Sequence, residues 1–518
     1  FLWLIAFFIL GIAWVNYINL ATAKASERAR EVGIRKMMGS HTATLMPQFL
    51  GEALLTNLLA AAIAVVLAWI ALPLFNGLTG QALSLTLLTQ VWFWLIALGV
   101  LLLGSFLSGL YPALILSSFQ PVKVLKGSFT SSRRGILLRK LLVGLQFGIS
   151  LLLIAGTLTV YRQLSFMRSQ DLGVDIDQTL VLKAPNMADS TYADRLTAMK
   201  TEMARHAAVR TVANSTSVPG RKASWNAGGI RRVGEPESAS KQYRVIGVDE
   251  DFVEAYGLSI AHGRSFDESY GTEESKVLFN ESAMKLMEFE DAESALGEEI
   301  FFWGDTFQIV GILEDYHQQS LKVAHDPLIF RFIPGSRTYF SVKIEAGTDA
   351  AVLPAVLTHL EESWRDFFPE SPMEYFFLDD YFAEQYNNDQ QFGQAFGVFA
   401  ILAILIACLG LVGLTSFTTL QRTKEVGIRK ILGASEGNIV HLLTKDVLLL
   451  IGIAAVIVLP VAGYLMNMWL EEFAYHISLD WLLFLLPVLF LTLITLLSVG
   501  IQTMRAARTN PIDAMRYE

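Results

Sequence analysis

"EVGIRK" stands at Glu31–Lys36 and again at Glu425–Lys430, 394 residues later, and after two intervening residues each copy is followed by a glycine, Gly39 and Gly433. Six identical residues at that separation mark a duplication. Working outward from the copies, both halves run in the same order: an apolar span, EVGIRK, an amphipathic lead-in, a span, a short loop, a span and a basic tail. The tails correspond as well. "FQPVKVLKG" at 119–127 parallels "TNPIDAMRYE" at 509–518, each placing a proline, Pro121 or Pro511, just past a membrane exit. Two such units are expected to pair, because each leaves polar surface that its counterpart would cover.

Composition sets the surroundings of these units. Of 518 residues, 53% are hydrophobic and 17% charged, and the mean hydropathy is +0.43, above the balance of a soluble globular chain. A bilayer core of about 30 Å takes roughly 20 apolar residues in helical form. Seven stretches qualify, near 1–22, 52–77, 91–117, 137–160, 393–417, 447–470 and 482–503. Lys24, Arg28, Arg30, Arg35 and Lys36 follow the first. Lys123, Lys126, Arg133, Arg134, Arg139 and Lys140 lie between the third and fourth, Arg422, Lys424, Arg429 and Lys430 follow the fifth, and Arg505, Arg508 and Arg516 follow the last. These basic loops are expected in the cytoplasm. The connections at 78–90 and 471–481 contain no Lys or Arg and are expected outside. The chain begins at Phe1, within an apolar run that lacks the basic leader of a signal peptide, so the expectation is a fragment of an eight-span parent.

Between the two units the composition changes. Acidic residues accumulate and give the formal net charge of −9. "QYRVIGV" (242–248), "KVLFN" (276–280), "TFQIVGIL" (306–313), "LIFRF" (328–332) and "YFSVKI" (339–344) are β-branched or aromatic runs bounded by turn formers, hence strands. Segments 190–206, 281–288 and 349–367 carry helical spacing. The fold class expected is an α-helical transmembrane protein of seven spans with an α+β extracytoplasmic domain inserted. Its divisions are 1–127 (three spans), 128–164 (basic linker and fourth span), 165–390 (α+β domain) and 391–518 (three spans). The single cysteine, Cys408, falls in the fifth span and supplies no disulfide framework.

Few residues suggest chemistry. There is no GxxxxGK[ST] phosphate loop and no HExxH, and the eight histidines lack metal-ligand spacing. His317, in "EDYHQQS" (314–320), has the only suggestive surroundings, and a structural role fits it better than catalysis. No acid or lysine sits in mid-span to mark an ion pathway. The repeated hexapeptides remain. Glu31 and Arg35, like Glu425 and Arg429, are four apart with the acid first, a spacing that supports a short exposed helix. Val32, Ile34 and Met37 leave apolar surface between the charges. Gly39–Ser40 and Gly433–Ala434–Ser435 fit a glycine helix stop followed by a serine N-cap, predicting a helix–turn–helix. Glu52 and Asp446, also 394 apart, fall where the next span enters the membrane. They are expected to seek Arg35 or Lys36, and Arg429 or Lys430, respectively.

"ATAKASERAREVGIRKMMGS" (21–40) and "LQRTKEVGIRKILGAS" (420–435) resemble the hallmark cytoplasmic segment of FtsX-like ABC transporter permeases, the superfamily that includes MacB and LolC/LolE. "RKLLVGLQFGISLLLI" (139–154) resembles the span before the second outer domain of its duplicated eight-span members. "VIGVDEDFVEAYGLSIAHGRSF" (245–266) and "QIVGILEDYHQQSLK" (308–322) resemble its MacB-type periplasmic domain. The resemblance implies a non-catalytic permease subunit in a bacterial inner membrane, with no nucleotide site of its own. ATP and magnesium would be held by a separate cytoplasmic ABC ATPase, in two copies, docking on helices made of Glu31, Val32, Gly33, Ile34, Arg35, Lys36 and Gly39, and of Glu425, Val426, Gly427, Ile428, Arg429, Lys430 and Gly433. It implies export or extrusion driven by motion of the outer domain, with a periplasmic adaptor or outer-membrane component as a further partner and no nucleic acid. The alternative is a signal transducer that regulates an envelope enzyme without transport. A first span and first outer domain, present in the family's duplicated form, are expected to precede Phe1.

Overall fold

The computed structural model describes residues 2–38, 40, 42–80, 82–118, 133–185, 191–223, 225–349, 351–421, 428–429, 431–432 and 434–508. The chain divides into a membrane unit (1–163, 389–469 and 478–518) and an α+β unit (164–388 together with 470–477).

In the membrane unit, helix α1 spans Leu2–Met37, α2 Thr42–Thr79 and α3 Val91–Ser118; α4, Arg133–Ser169, runs on from this unit into the α+β unit. Among the described residues, five helices are long and apolar enough to cross a membrane, with spans at Thr44–Leu78, Lys140–Ser169, Asp389–Gly413, Gly437–Leu470 and Trp481–Gly500. The other two expected spans contain shorter apolar segments, Ile5–Ala21 in α1 and Val91–Leu107 in α3. Small residues set the packing, because without a hydrophobic drive in lipid helices associate through close contact. Gly104 of α3 lies under the Trp14 indole of α1, and Gly109 under Leu50 and Ala53 of α2.

The α+β unit begins with a split β-α-β pair. Strand β1 (Thr179–Lys183), helix α5 (Tyr192–Met203) and β2 (Val209–Ser215) are followed by β3 (Trp225–Arg232), β4 (Lys241–Val248), β5 (Ile260–Gly263), β6 (Lys276–Asn280), β7 (Glu299–Phe302), β8 (Asp305–Leu313) and β9 (Leu328–Phe332). Strand β10 (Tyr339–Ile344), α6 (Leu353–Phe367), β11 (Tyr375–Phe377) and α7 (Leu378–Gln385) complete it, counting helices of at least two turns. The order β11-β1-β10-β2, antiparallel throughout, with α5 and α6 as the two crossovers, is the ferredoxin-like arrangement. Helical periodicity builds its core. Tyr192, Leu196, Met199 and Met203 of α5, and Val356, Leu360 and Trp364 of α6, fall on single faces and meet Leu180, Leu182, Phe340 and Val342.

The strands between β2 and β10 form a second body. Six of them follow the order β4-β3-β7-β8-β6-β9, with β5 pairing antiparallel to β8 off this path, and β9 pairs parallel with β4, from Arg244↔Leu328 to Val248↔Phe332, closing a six-stranded ring. Alternate residues face inward, as strand geometry requires. Tyr243 and Val245, Val277 and Phe279, Ile300 and Phe302, and Phe307 and Ile309 join Ala227, Ile230 and Ile329 in one buried cluster to which all six strands contribute. Closure removes edges that would otherwise template aggregation.

The chain returns to the membrane unit through α8 (Asn387–Gln421), followed by α9 (Glu436–Leu470) and α10 (Trp481–Arg508). Helix α4 is central to this half: Val143, Phe147 and Leu151 pack with Leu411 of α8, Ile451 and Ala454 of α9, and Leu491 and Val499 of α10.

Candidate functional site

The first copy of EVGIRK does not make a separate short helix. It is the C-terminal end of α1, because nothing between Asn16 and Arg35 interrupts the main-chain ladder, and the helix runs unbroken to Met37. The stop itself occurs as expected. The Ser40 N–H donates to the Arg35 carbonyl at 3.0 Å, and at the equivalent place the Ala434 N–H donates to the Arg429 carbonyl at 2.9 Å. This six-to-one closure is the helix ending that the sequence pattern implied. Gly39, Glu425, Val426, Gly427, Lys430 and Gly433 lie outside the described residues, and Glu31, Gly33 and Ile34 are described as helical backbone.

The serine caps separate. Ser435 immediately precedes α9, and its Oγ accepts from the Asn438 N–H at 3.3 Å, whereas α2 starts at Thr42, two residues past Ser40. The 394-residue offset pairs Ser40 with Ala434, so the two serines are not equivalent positions.

At the first elbow Val32 is buried against Leu45, Met46 and Phe49 of α2. Arg35 Nη1 donates to Gln48 Oε1 at 3.0 Å, one turn before Glu52. Part of the hexapeptide therefore fixes the angle between α1 and α2. The apolar residues around the two stops point the other way: Met38 is 77% exposed, and at the second elbow Ile431 and Leu432 are 58% and 79% exposed. Ile428 and Arg429 are exposed as well. Asp446 has a cation that the repeat register did not offer. Its Oδ1 lies 3.6 Å from Lys140 Nζ of α4, which runs alongside α9 at this level, and Lys430 lies outside the described residues.

A second cluster lies in the α+β unit and was legible only through the suggestive "EDYHQQS" stretch (314–320). The strip Tyr316–Lys322 gathers chain from three places. The His317 N–H donates to the Leu172 carbonyl, just past α4, at 2.9 Å. The Leu321 N–H donates to Tyr386 Oη, just before α8, at 3.1 Å. The Ala474 and Tyr475 N–H groups, between α9 and α10, donate to the Lys322 and Leu321 carbonyls at 3.0 and 3.3 Å. Lys322 Nζ stands 5.5 Å over the Phe473 ring, and the Tyr475 ring meets both His317 and His325. Burial first, and the neighbouring His325 second, pull the His317 pKa down to about 4, so the imidazole is neutral at ordinary pH. A buried neutral ring holding a loop by edge contact and backbone bonds suits a mechanical joint; it is not arranged as a general base. Leu172, Tyr386 and Tyr475 carried no signal of their own in the sequence.

Two family profiles match the chain: the FtsX-like permease C-terminal region at 3–121 and 397–511, and the MacB-like periplasmic core domain at 141–359. An uncharacterized ABC transporter permease, YvrN of Bacillus subtilis, is 25% identical over 296 residues, covering 53% of this chain and 70% of YvrN. The macrolide export ATP-binding/permease protein MacB 1 of Aeromonas hydrophila is 30% identical over 115 residues, covering 22% of this chain and 17% of that protein. Among solved structures, the periplasmic region of MacB from Actinobacillus actinomycetemcomitans matches at 15% identity and TM-score 0.30, over 42% of this chain and 96% of that one. With both profiles matched, in the order that the repeated hexapeptide and the inserted α+β unit require, the chain is a membrane protein of the FtsX-like ABC permease family carrying a MacB-like periplasmic core domain.

Proposed function

We propose that this chain is the permease subunit of an ATP-driven export system of the bacterial inner membrane, in which a cytoplasmic ABC ATPase docks at the two elbows and its closure moves the periplasmic domain. The ATPase supplies the nucleotide and magnesium chemistry; this chain supplies docking surfaces and a linkage. Two features support docking. The elbows carry large apolar side chains in solvent, Met38 at one and Ile431 and Leu432 at the other, beside basic residues, and such apolar exposure is what an unoccupied protein interface presents. They are also duplicated, matching two ATPase copies.

The observation that carries the coupling is the Tyr316–Lys322 strip. Each chain segment that joins the membrane unit to the α+β unit is hydrogen-bonded to it: Leu172 after α4, Tyr386 before α8, and Ala474–Tyr475 between α9 and α10. A shift of α4, α8, α9 or α10 therefore pulls on one short strip at the base of β9. Packed elements of this kind respond in discrete steps and do not deform continuously. A periplasmic adaptor is a further partner under this reading.

The test is co-purification and ATP hydrolysis with ABC ATPases of the source organism that lack a permease domain. Met38→Glu with Leu432→Glu is expected to lose ATPase binding. Tyr475→Ala is expected to retain binding and lose the permease-dependent stimulation of hydrolysis. Full stimulation in a correctly inserted Tyr475→Ala protein would remove the strip from the mechanism.

A further inference from the structure

Helices α1 and α8 are the first spans of the two repeats, and the 394-residue offset that aligns EVGIRK also aligns them residue by residue: Ile12 with Ile406, Asn16 with Gly410, Asn19 with Gly413. The two helices touch along these same positions. Ile5, Ile9 and Ile12 of α1 share a cluster with Phe399, Ala403 and Ile406 of α8. Asn16 Nδ2 donates to the Ile406 carbonyl at 2.6 Å. A β-carbon placed on Gly410 would overlap the Asn16 amide, and one on Gly413 would lie 3.2 Å from Leu20 Cδ1. On α8 the contacting positions 399, 403, 406, 410 and 413 step by four and three, the spacing of a parallel, in-register seam.

In a twofold pair, a residue on the axis meets its own equivalent. Asn16 meets Gly410, so the pseudo-twofold axis relating the repeats passes between them. The two residues at that axis are opposites in size and chemistry. Asn16 fills space that only glycine leaves open, and its amide donor finds an acceptor on α8, in a medium where an unpaired donor is costly. Pairing α1 with a second α1 would set two asparagine side chains against each other in the space that Gly410 leaves for one. Pairing α8 with a second α8 would leave a void and no donor.

We infer that Asn16 and Gly410 are a knob and a hole that select intrachain pairing of the two repeats, so that one copy of this chain, rather than two, completes the interface between the first spans. The inference concerns assembly and stands independently of the ATPase reading.

The experiment uses the full chain in native membranes, with Cys408→Ser removing the thiol two residues from Gly410. Two differently tagged copies of Asn16→Cys/Gly410→Cys are co-expressed and oxidised with copper phenanthroline. The expected product is a single chain of altered mobility that carries one tag. Mixed-tag dimers as the main product, or efficient dimerisation of the Asn16→Cys single variant, would overturn the inference. A second arm guards against misfolding of the cysteine proteins. Gly410→Asn alone is expected to lower the yield of folded protein by about tenfold, the order of a lost close helix contact in a membrane. The exchange Asn16→Gly/Gly410→Asn is expected to restore most of that yield. A harmless Gly410→Asn, or an exchange no better than the single variant, would also overturn it.

Discussion

Tyr475 stands edge-on to His317, with ring centroids 4.9 Å apart and ring planes at 86°. His317 in turn lies 4.3 Å from His325, centroid to centroid. A residue between the last two spans thus closes over a histidine pair in the α+β unit, and protonation of His317 opposes the contact by burying charge.

Stability against pH follows from His317 and Asp249, with opposite signs. His317 titrates near 4 in the folded chain and near 6.5 when unfolded. As pH falls from about 6.5 to about 4 the unfolded chain takes up a proton that the folded one refuses, so stability drops across that window. Asp249 is pushed up to about 6, by burial first and against the attraction of Lys200. Its folded carboxyl keeps a proton that the unfolded one has lost above about 4, so its contribution is present at acid pH and is lost as pH rises through 6. Relative to wild type, His317→Gln is expected to melt at higher temperature at pH 4.5 with little change at pH 7.5. Asp249→Asn is expected to steepen the loss on acidification. Thermal melts of the purified chain across this range decide it, and superimposable difference profiles would contradict both assignments.

Lys200 bolts α5 to the end of β4. Its Nζ lies 2.6 Å from Asp249 Oδ2 and also contacts Asp251, while the Asn214 N–H donates to the same Asp249 oxygen at 2.7 Å. The Asp249 side chain is 1% exposed. Lys200→Met strands this carboxylate and is expected to cost about 3–5 kcal/mol, as for other broken buried pairs. Lys200→Met with Asp249→Asn should recover part of the loss, because the stranded charge is gone. Denaturant titration of the four proteins forms the double-mutant cycle, and near-additive losses would mean that the pair is not coupled.

Orientation is testable with single thiols in a Cys408→Ser background. Cysteines replacing Gly80 and Val233 are expected to react with an impermeant maleimide added outside intact cells, and one replacing Met38 only after permeabilisation. Met38 is 77% exposed and Val233 50%, so burial does not limit either reaction. External labelling at position 38 would invert the assigned topology.

Arg35→Glu and Arg429→Glu test the elbows as charged docking surfaces. Each reversal opposes like charges at an interface and is expected to cost about 2–5 kcal/mol of ATPase affinity where the partner is desolvated. The double variant should lose nearly all coupling. Insertion is expected to survive, because Lys24, Arg28 and Arg30 still follow the first span and Arg422 and Lys424 the fifth. Unchanged binding of the ATPase by a correctly inserted double variant would confine the repeated hexapeptide to setting topology.

The sequence by itself determined the features that depend on neighbours along the chain. The β-branched and aromatic runs at 276–280, 328–332 and 339–344 are strands β6, β9 and β10 with the same limits, since alternation and turn residues are local signals. The helix stops after Arg35 and Arg429 were readable for the same reason, as was the duplication. Only the tertiary structure decided which distant surfaces meet. Nothing in "QYRVIGV" or "LIFRF" says that β4 and β9 pair in parallel and close a ring, because every strand offers the same main-chain donors and acceptors. The ion pair of Asp446 with Lys140 of α4 could not be read from the repeat register either, because it joins helices far apart in sequence. Tyr475 sits in an unremarkable loop, and Asn16 and Gly410 lie in two apolar spans. Their roles come from contacts across 158 and 394 residues of sequence, respectively, which packing selects and local pattern does not encode.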